Sequence, residues 1–487
     1  MARKSAILPF ICLLFIQLSL INCGNGSAKG NGSIAKQAPK DFTLPPSNTL
    51  GVLTYKEGAT PGYVLFSIHE DTFLIDYCGR VLKHWKSEHE LGGYFELLED
   101  GSLLRSGKIA NDSIDYPGIG GIIEKFDWDG NLRWSYKYSS PQFSQHHGMR
   151  QLPDGNIIFN AVVRKSRAEA LAAGRDPDLL KDEELYDEQL IEIDPQAKDG
   201  AKVVWKWRAW DHLIQEYDPQ KENYGGVAGN PHRININFMG ISNGAKDWLH
   251  FNSIAYNEDL DQILIGSQKL SEIYIIDHST TTREAATDKG GKSGMGGDIL
   301  YRWGNPESYN SGDASTRTLY SPHFAHWLPP VQGTEDRILI YNNGLGRKPG
   351  YSSVDCFSPP RKDGFTYEYS DKKRFGPEGP GWTYMNTKDT TAFYSKIMSS
   401  AQRLPNNHIF VCEGTKGRLF EIDQNGAILW EYINPETTNG KILKQGDTPS
   451  SHVFMALHYN RDHSAFNNRQ LIPSAPIEIN FDIGDCP

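Results

Sequence analysis

The chain has 487 residues, of which 23% are charged and 38% are hydrophobic, with 47 glycines and 27 prolines. This composition is typical of a globular protein with many turns and enough apolar residues for a large core. The formal net charge of −10, with no basic stripe along the chain, argues against a nucleic-acid partner. An anionic substrate would therefore need a local positive pocket built against the overall field of the protein.

The N-terminus has the features of an export signal. Arg3 and Lys4 precede an apolar run that is short for a membrane-spanning helix, so residues 1–22 are predicted to be a secretory signal peptide. The letters LINC followed by GNGSAKGNGS resemble a bacterial lipoprotein signal, with Cys23 as the lipidated residue and 23–48 as a flexible tether. We expect an exported protein, periplasmic or at the cell surface, with simple cleavage as the alternative to a lipid anchor.

Four cysteines beyond the N-terminal segment form an even set in a compartment expected to be oxidising. They are Cys78, Cys356, Cys412 and Cys486. One or two disulfides are expected, and four cysteines allow three complete pairings among which the sequence does not choose. The sequence contains no C-x-x-C pair and no zinc-type spacing.

Short hairpins recur along the whole chain. Each reads as alternating apolar residues, a turn, and a second short strand, which ends in Trp in the three clearest copies. The six copies lie at 74–85, 123–134, 190–205, 273–303, 352–369 and 419–430. A second hairpin lies between successive copies, as in ELLEDGSLLRS and RQLPDGNIIFNAV.

A four-stranded unit that recurs about six times predicts an all-β, six-bladed β-propeller over residues 49–487. The C-terminal segment 450–460 is expected to pair with 61–71 and close the ring. Residues 164–190 are the clearest helical stretch and are predicted to form a short helical insertion. A two-sheet sandwich is the alternative, but it does not predict this regular alternation of inner and outer hairpins.

Three histidines fall in register when the inner hairpins are aligned on their turns. His147, His250 and His323 each lie five residues before the same position of the hairpin. Gly93 and Ser399 take this place in two other units, so the fold itself does not require histidine there. Equivalent positions at the start of inner strands face the same end of a propeller axis. We therefore expect the three imidazoles to converge at one mouth of the central channel.

Other polar residues near these histidines are weaker candidates. Strand alternation is expected to turn His146 and His326 away from the cluster, with His326 a candidate orienting residue. In YNNGLGR, which follows the His323 hairpin, Asn343 and Arg347 come close together in sequence, and Arg347 is a candidate anion contact.

Longer motifs run through most of the chain. Examples are KDWLHFNSIAYN (246–257), GGDILYRWGNP (296–306), HFAHW followed by YNNGLGR, and CEGTKGRLFEIDQNGAILWEYINP (412–435). In these motifs the chain resembles the arylsulfate sulfotransferase family of bacterial exported β-propellers.

The resemblance implies transfer of a sulfuryl group from an aryl sulfate to a phenol through a sulfated histidine, in two half-reactions with ping-pong kinetics. His323 falls on the family's nucleophile, and His147 and His250 fall on its assisting histidines. The candidate substrate-binding residues are Asn252, Gln268, Asn343 and Arg347. The implied partners are phenolic sulfates and phenols, no cofactor or metal is implied, and the oligomeric state stays open.

Some residues differ from those frequent in the family. Gln268 stands where Arg is common, so it would bind sulfate through hydrogen bonds without charge. The adjacent Lys269 is not expected to compensate, because neighbouring strand residues face opposite sides. Gly148, Pro322 and Phe324 also differ from the residues common beside the family's histidines.

Two other functions are compatible with converging histidines. Three imidazoles could hold a transition metal at the open site of a metal-dependent enzyme. The propeller could also be a non-catalytic module that binds a ligand without turnover and without dependence on His323.

Overall fold

Antiparallel strands form almost all of the regular structure in the computed structural model of the protein. It describes residues 48–198, 200–329, 336–370, 373–386, 388–479 and 486, all within one compact unit, Gln37–Pro487. The predicted signal peptide, Cys23 and all but the last residue of the predicted tether lie outside the described residues. Within those residues, no helix has the length and apolar character needed to cross a bilayer.

The strands assemble into six sheets arranged as a ring, which confirms the six-bladed β-propeller and excludes the two-sheet sandwich. The strands are β1 (Gly51–Tyr55), β2 (Gly62–Ile68), β3 (Asp71–Asp76), β4 (Val81–Lys86), β5 (Leu91–Leu97), β6 (Leu103–Lys108), β7 (Gly121–Phe126), β8 (Leu132–Lys137), β9 (Phe143–Gln151), β10 (Ile157–Ser166), β11 (Glu184–Asp194), β12 (Lys202–Arg208), β13 (Leu213–Ile214), β14 (Ile234–Asn235), β15 (Phe251–Asn257), β16 (Gln262–Ser267), β17 (Glu272–Asp277), β18 (Tyr301–Trp303), β19 (His323–Trp327), β20 (Ile338–Asn342), β21 (Ser353–Phe357), β22 (Trp382–Tyr384), β23 (Ser400–Arg403), β24 (Ile409–Glu413), β25 (Arg418–Ile422), β26 (Ile428–Ile433) and β27 (Ala456–Asn460).

Each blade runs outward from the axis. In order around the ring the blades are β27-β2-β3-β4, β5-β6-β7-β8, β9-β10-β11-β12, β15-β16-β17-β18, β19-β20-β21-β22 and β23-β24-β25-β26-β1, which we number one to six, and β13 pairs with β14 outside them. Middle strands such as β16 and β17 are buried on both faces, because each blade is covered by its two neighbours. Outer strands such as β8 alternate between exposed and half-buried residues, which explains their weaker apolar pattern.

Both ends of the described chain complete the ring. β27 is the innermost strand of blade one and pairs with β2 in antiparallel register from Phe66↔Ala456 to Gly62↔Asn460, as predicted from the sequence. β1 adds a fifth strand to the outer edge of blade six, against β26. Backbone hydrogen bonds between the two ends therefore close the propeller.

One disulfide is present among the described cysteines. Cys78 and Cys486 are bonded, with their Cα atoms 6.0 Å apart, whereas Cys356 and Cys412 are free thiols. The bond ties the extreme C-terminus to blade one.

The tryptophans that end the outer hairpins join neighbouring blades. Trp85 of blade one donates its indole N–H to the carbonyl of Asp127 in blade two at 3.0 Å. Trp430 of blade six donates to the carbonyl of Tyr77 in blade one at 2.8 Å, across the ring closure. Both indoles are buried, so these tryptophans act in blade packing.

The predicted helical insertion, 164–190, is mostly strand. β10 continues to Ser166 and β11 begins at Glu184, so only α1 (Arg167–Ala172) is α-helical among the described residues. Ser166 and Glu169 cap α1 reciprocally. The flanking residues favour helix locally, but the ten-residue pairing of β10 with β11 outweighs that propensity. The insertion is thus a short helix at the tip of a long hairpin.

Short 3-10 turns occupy several connections. They are Pro177–Leu179, Ala209–His212, Val227–Gly229, Gly240–Ser242, Glu284–Ala286, Pro306–Tyr309, Ala314–Thr316, Gly414–Lys416 and Ser464–Phe466.

Candidate active site

Several inner strands begin near a residue with left-handed backbone. In the alignment of inner hairpins these residues are Gly93 (φ 118°), His147 (φ 43°), His250 (φ 52°) and Ser399 (φ 87°). In blade five the left-handed residues are Ser321 (φ 55°) and Phe324 (φ 52°), on either side of His323. His323 is therefore one residue out of step with the left-handed position expected from the alignment. Left-handed backbone costs a non-glycine residue about 1–2 kcal/mol, a strain often retained at functional sites.

The three predicted histidines lie within electrostatic reach of one another. The rings of His147 and His250 meet edge to face with centroids 4.7 Å apart, and Tyr116 stacks on His250 at 5.1 Å. Burial, with a smaller effect of the nearby His250, lowers the pKa of His147 well below its ordinary value. Burial also lowers the pKa of His323 to about 4, against the opposing effect of its hydrogen bond with Asn343. Both imidazoles are therefore neutral at pH 7.

His323 has one nitrogen held by a short hydrogen bond and one that accepts only a long one. Its Nδ1 lies 2.7 Å from Oδ1 of Asn343, and the Asn343 amide group donates to the carbonyls of Ser395 and Met398 at 2.7 and 2.9 Å. Because those two donations fix which Asn343 atom is the oxygen, Nδ1 of His323 must carry the proton. Nε2 is then unprotonated, and it accepts a long hydrogen bond from the Met398 amide at 3.3 Å.

His147 is oriented by its neighbour, so the expectation that His146 turns away was wrong. Glu188 accepts the Nε2–H of His146 at 2.9 Å, which leaves Nδ1 of His146 as an acceptor. His147 donates its Nδ1–H to that atom at 3.0 Å and keeps Nε2 unprotonated. Tyr116 donates its hydroxyl to the other Glu188 oxygen. This series of hydrogen bonds, from Tyr116 through Glu188 and His146, fixes which nitrogen of His147 carries the proton.

His250 is held by a buried carboxylate that also faces a lysine. Nδ1 of His250 lies 2.8 Å from Oδ2 of Asp247, and Nζ of Lys269 lies 3.7 Å from the same oxygen. Burial would raise the pKa of Asp247, but His250 and Lys269 outweigh it and hold that pKa below its ordinary value. β16 ends at Ser267, so Lys269 lies beyond the strand and the alternation argument against it does not apply.

Two predicted substrate contacts carry buried acceptor atoms without partners. Asn252 donates its Nδ2–H to the carbonyl of Pro322 at 2.7 Å, which fixes the residue before His323, while its Oδ1 has no partner. Oε1 of Gln268 is likewise buried and unpartnered. A buried acceptor in this state costs about 1–3 kcal/mol, so a ligand hydroxyl or a water that donates to it is favoured.

Arg347 is engaged with two tyrosines. Its guanidinium donates to the carbonyl of Tyr351 at 3.0 Å and packs against the rings of Tyr351 and Tyr320 at 4.2 and 5.0 Å.

His326 is near the carbonyl of Phe324, with Nδ1 3.1 Å from that oxygen. His326 therefore braces the bulge that follows His323.

A cavity of about 170 Å³ borders the histidines. Gly118, Met398 and Phe454 line it; Met398 contacts His323, and Phe454 packs on His147 with ring centroids 5.8 Å apart. A methyl group on Gly118 would lie 2.3 Å from Nε2 of His147, so glycine is required at this close approach. The cavity thus lies next to the cluster, with both apolar and polar residues in its lining.

The sequence reasoning missed the residues that orient the histidines. Asp247 lies in the motif 246–257 and Lys269 directly follows Gln268, but nothing in the sequence indicates where their side chains point. Glu188 and Tyr116 come from other parts of the chain, and no local pattern marks them.

Within the described residues, no group of three or more His, Cys, Asp or Glu has the geometry to hold a metal ion.

Comparison with known proteins assigns the family. The family model described as Arylsulfotransferase (ASST) matches residues 56–459. Because the match covers most of the chain, the protein belongs to the arylsulfotransferase family, and the resemblance found in the sequence is confirmed. The family is one of transferases and supports aryl sulfotransferase activity, with phenolic small molecules as substrates. A search of curated proteins found no match.

Several solved structures are similar in fold. A protein of unknown function from Bacteroides caccae is 12% identical, with 83% of this chain and 100% of that chain covered and a TM-score of 0.43. Virginiamycin B lyase from Staphylococcus aureus is 12% identical, with 80% and 89% covered and a TM-score of 0.33. The β-propeller domain of Cps50 (Swd1) from Myceliophteria thermophila is 9% identical, with 85% and 97% covered and a TM-score of 0.37. At these scores the likenesses add nothing about function.

Proposed function

We propose that this chain transfers a sulfuryl group from an aryl sulfate to a phenol, with Nε2 of His323 as the nucleophile. The observation that carries the proposal is the fixed tautomer of His323, whose Nδ1–H is held by Asn343. Its pKa of about 4 keeps the ring neutral at pH 7, so Nε2 has a lone pair that can attack sulfur in exchange for its long hydrogen bond from the Met398 amide.

The first half-reaction transfers the sulfuryl group to the enzyme. Nε2 of His323 attacks sulfur, the N–S bond forms, and the S–O bond to the aryl group breaks with its electron pair leaving on the aryl oxygen. His250, whose Nδ1 is held by Asp247, would give this phenolate a proton. His147, whose ring contacts that of His250, contributes a second polar edge to the same space.

The second half-reaction returns the enzyme to its starting state. The phenol oxygen of the acceptor attacks sulfur, its proton passes to His250, and the N–S bond breaks with its electron pair returning to Nε2 of His323. Proton and charge balance over the two steps, so no cofactor is required.

Positive charge near the sulfuryl oxygens is the remaining requirement. Sulfuryl transfer, like phosphoryl transfer, is expected to pass through a loose transition state with charge spread over oxygens, so positioning and electrostatics supply most of the catalysis. Gln268 carries no charge, and we assign the cationic role to Lys269, which shares Asp247 with His250. The unpartnered oxygens of Asn252 and Gln268 would accept from substrate hydroxyls or water.

Intact-mass analysis after brief incubation with 4-nitrophenyl sulfate tests the proposal. We expect the mass to rise by one sulfuryl group with release of nitrophenolate, and His323→Asn to abolish both. His84→Asn, at a surface histidine of blade one, is the matched control and should behave as wild type. Equal sulfation of His323→Asn would refute the assignment of the nucleophile.

The same samples discriminate the alternatives. Stoichiometric metal on which release of nitrophenolate depends would favour a metal-dependent enzyme. Binding of phenolic sulfates without any release, unchanged in His323→Asn, would favour a non-catalytic module.

We also propose that the protein is exported and anchored by a lipid on Cys23. The basis is the apolar run and the LINC sequence before the Gly- and Ser-rich segment. Cys23→Ser should release the protein from the membrane fraction into the soluble exported fraction. Retention of that variant in the membrane fraction would contradict the anchor.

A further inference from the structure

A second cavity opens between blades five and six, at the end of the propeller opposite His323. It has a volume of about 370 Å³. Strand β19 starts at His323 and runs about 13 Å to Trp327. Arg337 immediately precedes β20, and Arg403 is the last residue of β23. Both arginines line this cavity, which is therefore separate from the proposed catalytic cluster.

The cavity combines an apolar floor with positive charge. Leu339 and Ile409 are buried in its floor, and Trp382 is half-buried in its wall. Arg337 and Arg403 also line it, and both residues are only half-buried. An apolar surface beside two cations matches the shape and charge of an amphipathic anion.

No carboxylate among the described residues neutralises the charge of the two arginines. Arg403 donates to the side-chain oxygen of Asn407, and in the part of the chain that the structure describes neither guanidinium is paired with a carboxylate. Burial, and then the nearby charge of Arg337, lower the pKa of Arg403. Elsewhere in blade six the usual arrangement is seen, since Arg418 is paired with two glutamates. The chain has a net charge of −10, so two neighbouring guanidinium groups without a carboxylate partner among the described residues form a local positive site.

We propose that this cavity, the blade five–six cleft, binds a small organic anion with a flat apolar body, such as an aromatic sulfonate, sulfate or carboxylate. The anionic group lies between the two guanidinium forks, which match the geometry of such oxyanions. The apolar body covers Trp382, Leu339 and Ile409 and removes their surface from water. The inference is independent of the proposed transfer reaction, because it uses none of the histidines.

A cysteine in the wall provides a direct reporter. Cys356 lines the cleft and is a half-buried free thiol, whereas Cys412 is fully buried and Cys78 and Cys486 form the disulfide. Burial raises the pKa of Cys356, while both arginines oppose that rise. A ligand seated in the cleft would shield this thiol from N-ethylmaleimide.

The test measures the rate at which N-ethylmaleimide labels the Cys356 peptide of the full chain by mass spectrometry. The probe is 2-naphthalenesulfonate, whose C–S bond holds no transferable sulfuryl group, and the neutral control is 2-naphthalenemethanol. We expect saturable protection by the sulfonate, and we expect the alcohol to protect at least about tenfold more weakly because it makes no charge-assisted hydrogen bond.

Variants assign the protection to the arginines. Arg337→Gln with Arg403→Gln should weaken protection by the sulfonate by at least about tenfold, while Arg133→Gln, a surface arginine of blade two, should leave it unchanged. If the double variant unfolds at a lower temperature, Arg403→Gln alone keeps the test decisive. Equal protection by the neutral alcohol, no protection by the sulfonate, or undiminished protection in both arginine variants would overturn the proposal.

Discussion

Asn343→Ala removes the acceptor that holds Nδ1–H of His323, and we expect it to slow formation of the sulfohistidine. In the native site this hydrogen bond is 2.7 Å long, and Ser395 and Met398 fix the orientation of the amide. Without it, the remaining acceptor near Nδ1 is the carbonyl of Ser321 at 3.3 Å. The tautomer with the proton on Nε2, which cannot attack sulfur, then becomes competitive.

The size of the effect follows from the hydrogen bond. A buried hydrogen bond of this kind is worth about 1–3 kcal/mol, which corresponds to a loss of roughly 5- to 150-fold in the rate constant. The loss should be independent of pH between about 5 and 8, since His323, with a pKa of about 4, is neutral throughout that range. Removing the hydrogen bond from Asn343, which raises the pKa of His323, moves that pKa further down and not into the range.

Stopped-flow measurement of the first turnover of 4-nitrophenolate is the appropriate assay, because it isolates the donor half-reaction. Asn342→Ala is the matched control: Asn342 is equally buried and donates to Thr318 and Asp355 in the same blade, but it contacts no histidine. We expect the control to lose stability and to keep its first-turnover rate. Equal losses of rate in the two variants would refute the reasoning, since the effect would then come from general loosening of blade five.

Three further outcomes are expected. Lys269→Gln should reduce kcat/KM for the aryl sulfate by about 10- to 100-fold through loss of positive charge. Adding Gln268→Arg to this variant should recover part of the lost kcat/KM. An unchanged kcat/KM in Lys269→Gln would show that Lys269 has no role in the site. Cys486→Ser should lower the free energy of unfolding by up to about 6 kcal/mol in urea titrations under oxidising conditions, because the bond closes a loop of 408 residues; an unchanged midpoint would contradict this. Stability measured against pH should fall on both sides of a maximum. Burial lowers the pKa of His458 to about 4, so its contribution to the free energy of unfolding is lost as pH falls from about 6.5 to 4. The carboxylate partners of His278 raise its pKa to about 9 against the opposing effect of burial. Its contribution is therefore lost as pH rises from about 6.5 through 9. Flat stability between pH 4 and 6.5 in wild type, or no change on replacing His458 with Gln, would contradict the acid limb.

The propeller itself is predictable from the sequence, because its signal is local and repeated. Each hairpin carries its own alternation and turn residues, and six copies at similar spacing leave few other architectures. The closure of the ring by 450–460 was also predictable, since one blade lacked an inner strand. The long hairpin around α1 was not, because its pairing depends on contacts between β10 and β11 that compete with helix propensity.

The sequence by itself also determined which histidines gather at one end of the axis, since their spacing from the hairpin turns places them there. It did not determine how each ring is held. Asn343 follows His323 by 20 residues, and Glu188 follows His146 by 42. Only the tertiary structure brings these partners within hydrogen-bond distance, and only hydrogen bonds decide which ring nitrogen carries the proton. For the same reason the pairing of Cys78 with Cys486 and the approach of Lys269 to Asp247 depend on the folded chain, because both are distances in space and not patterns along it.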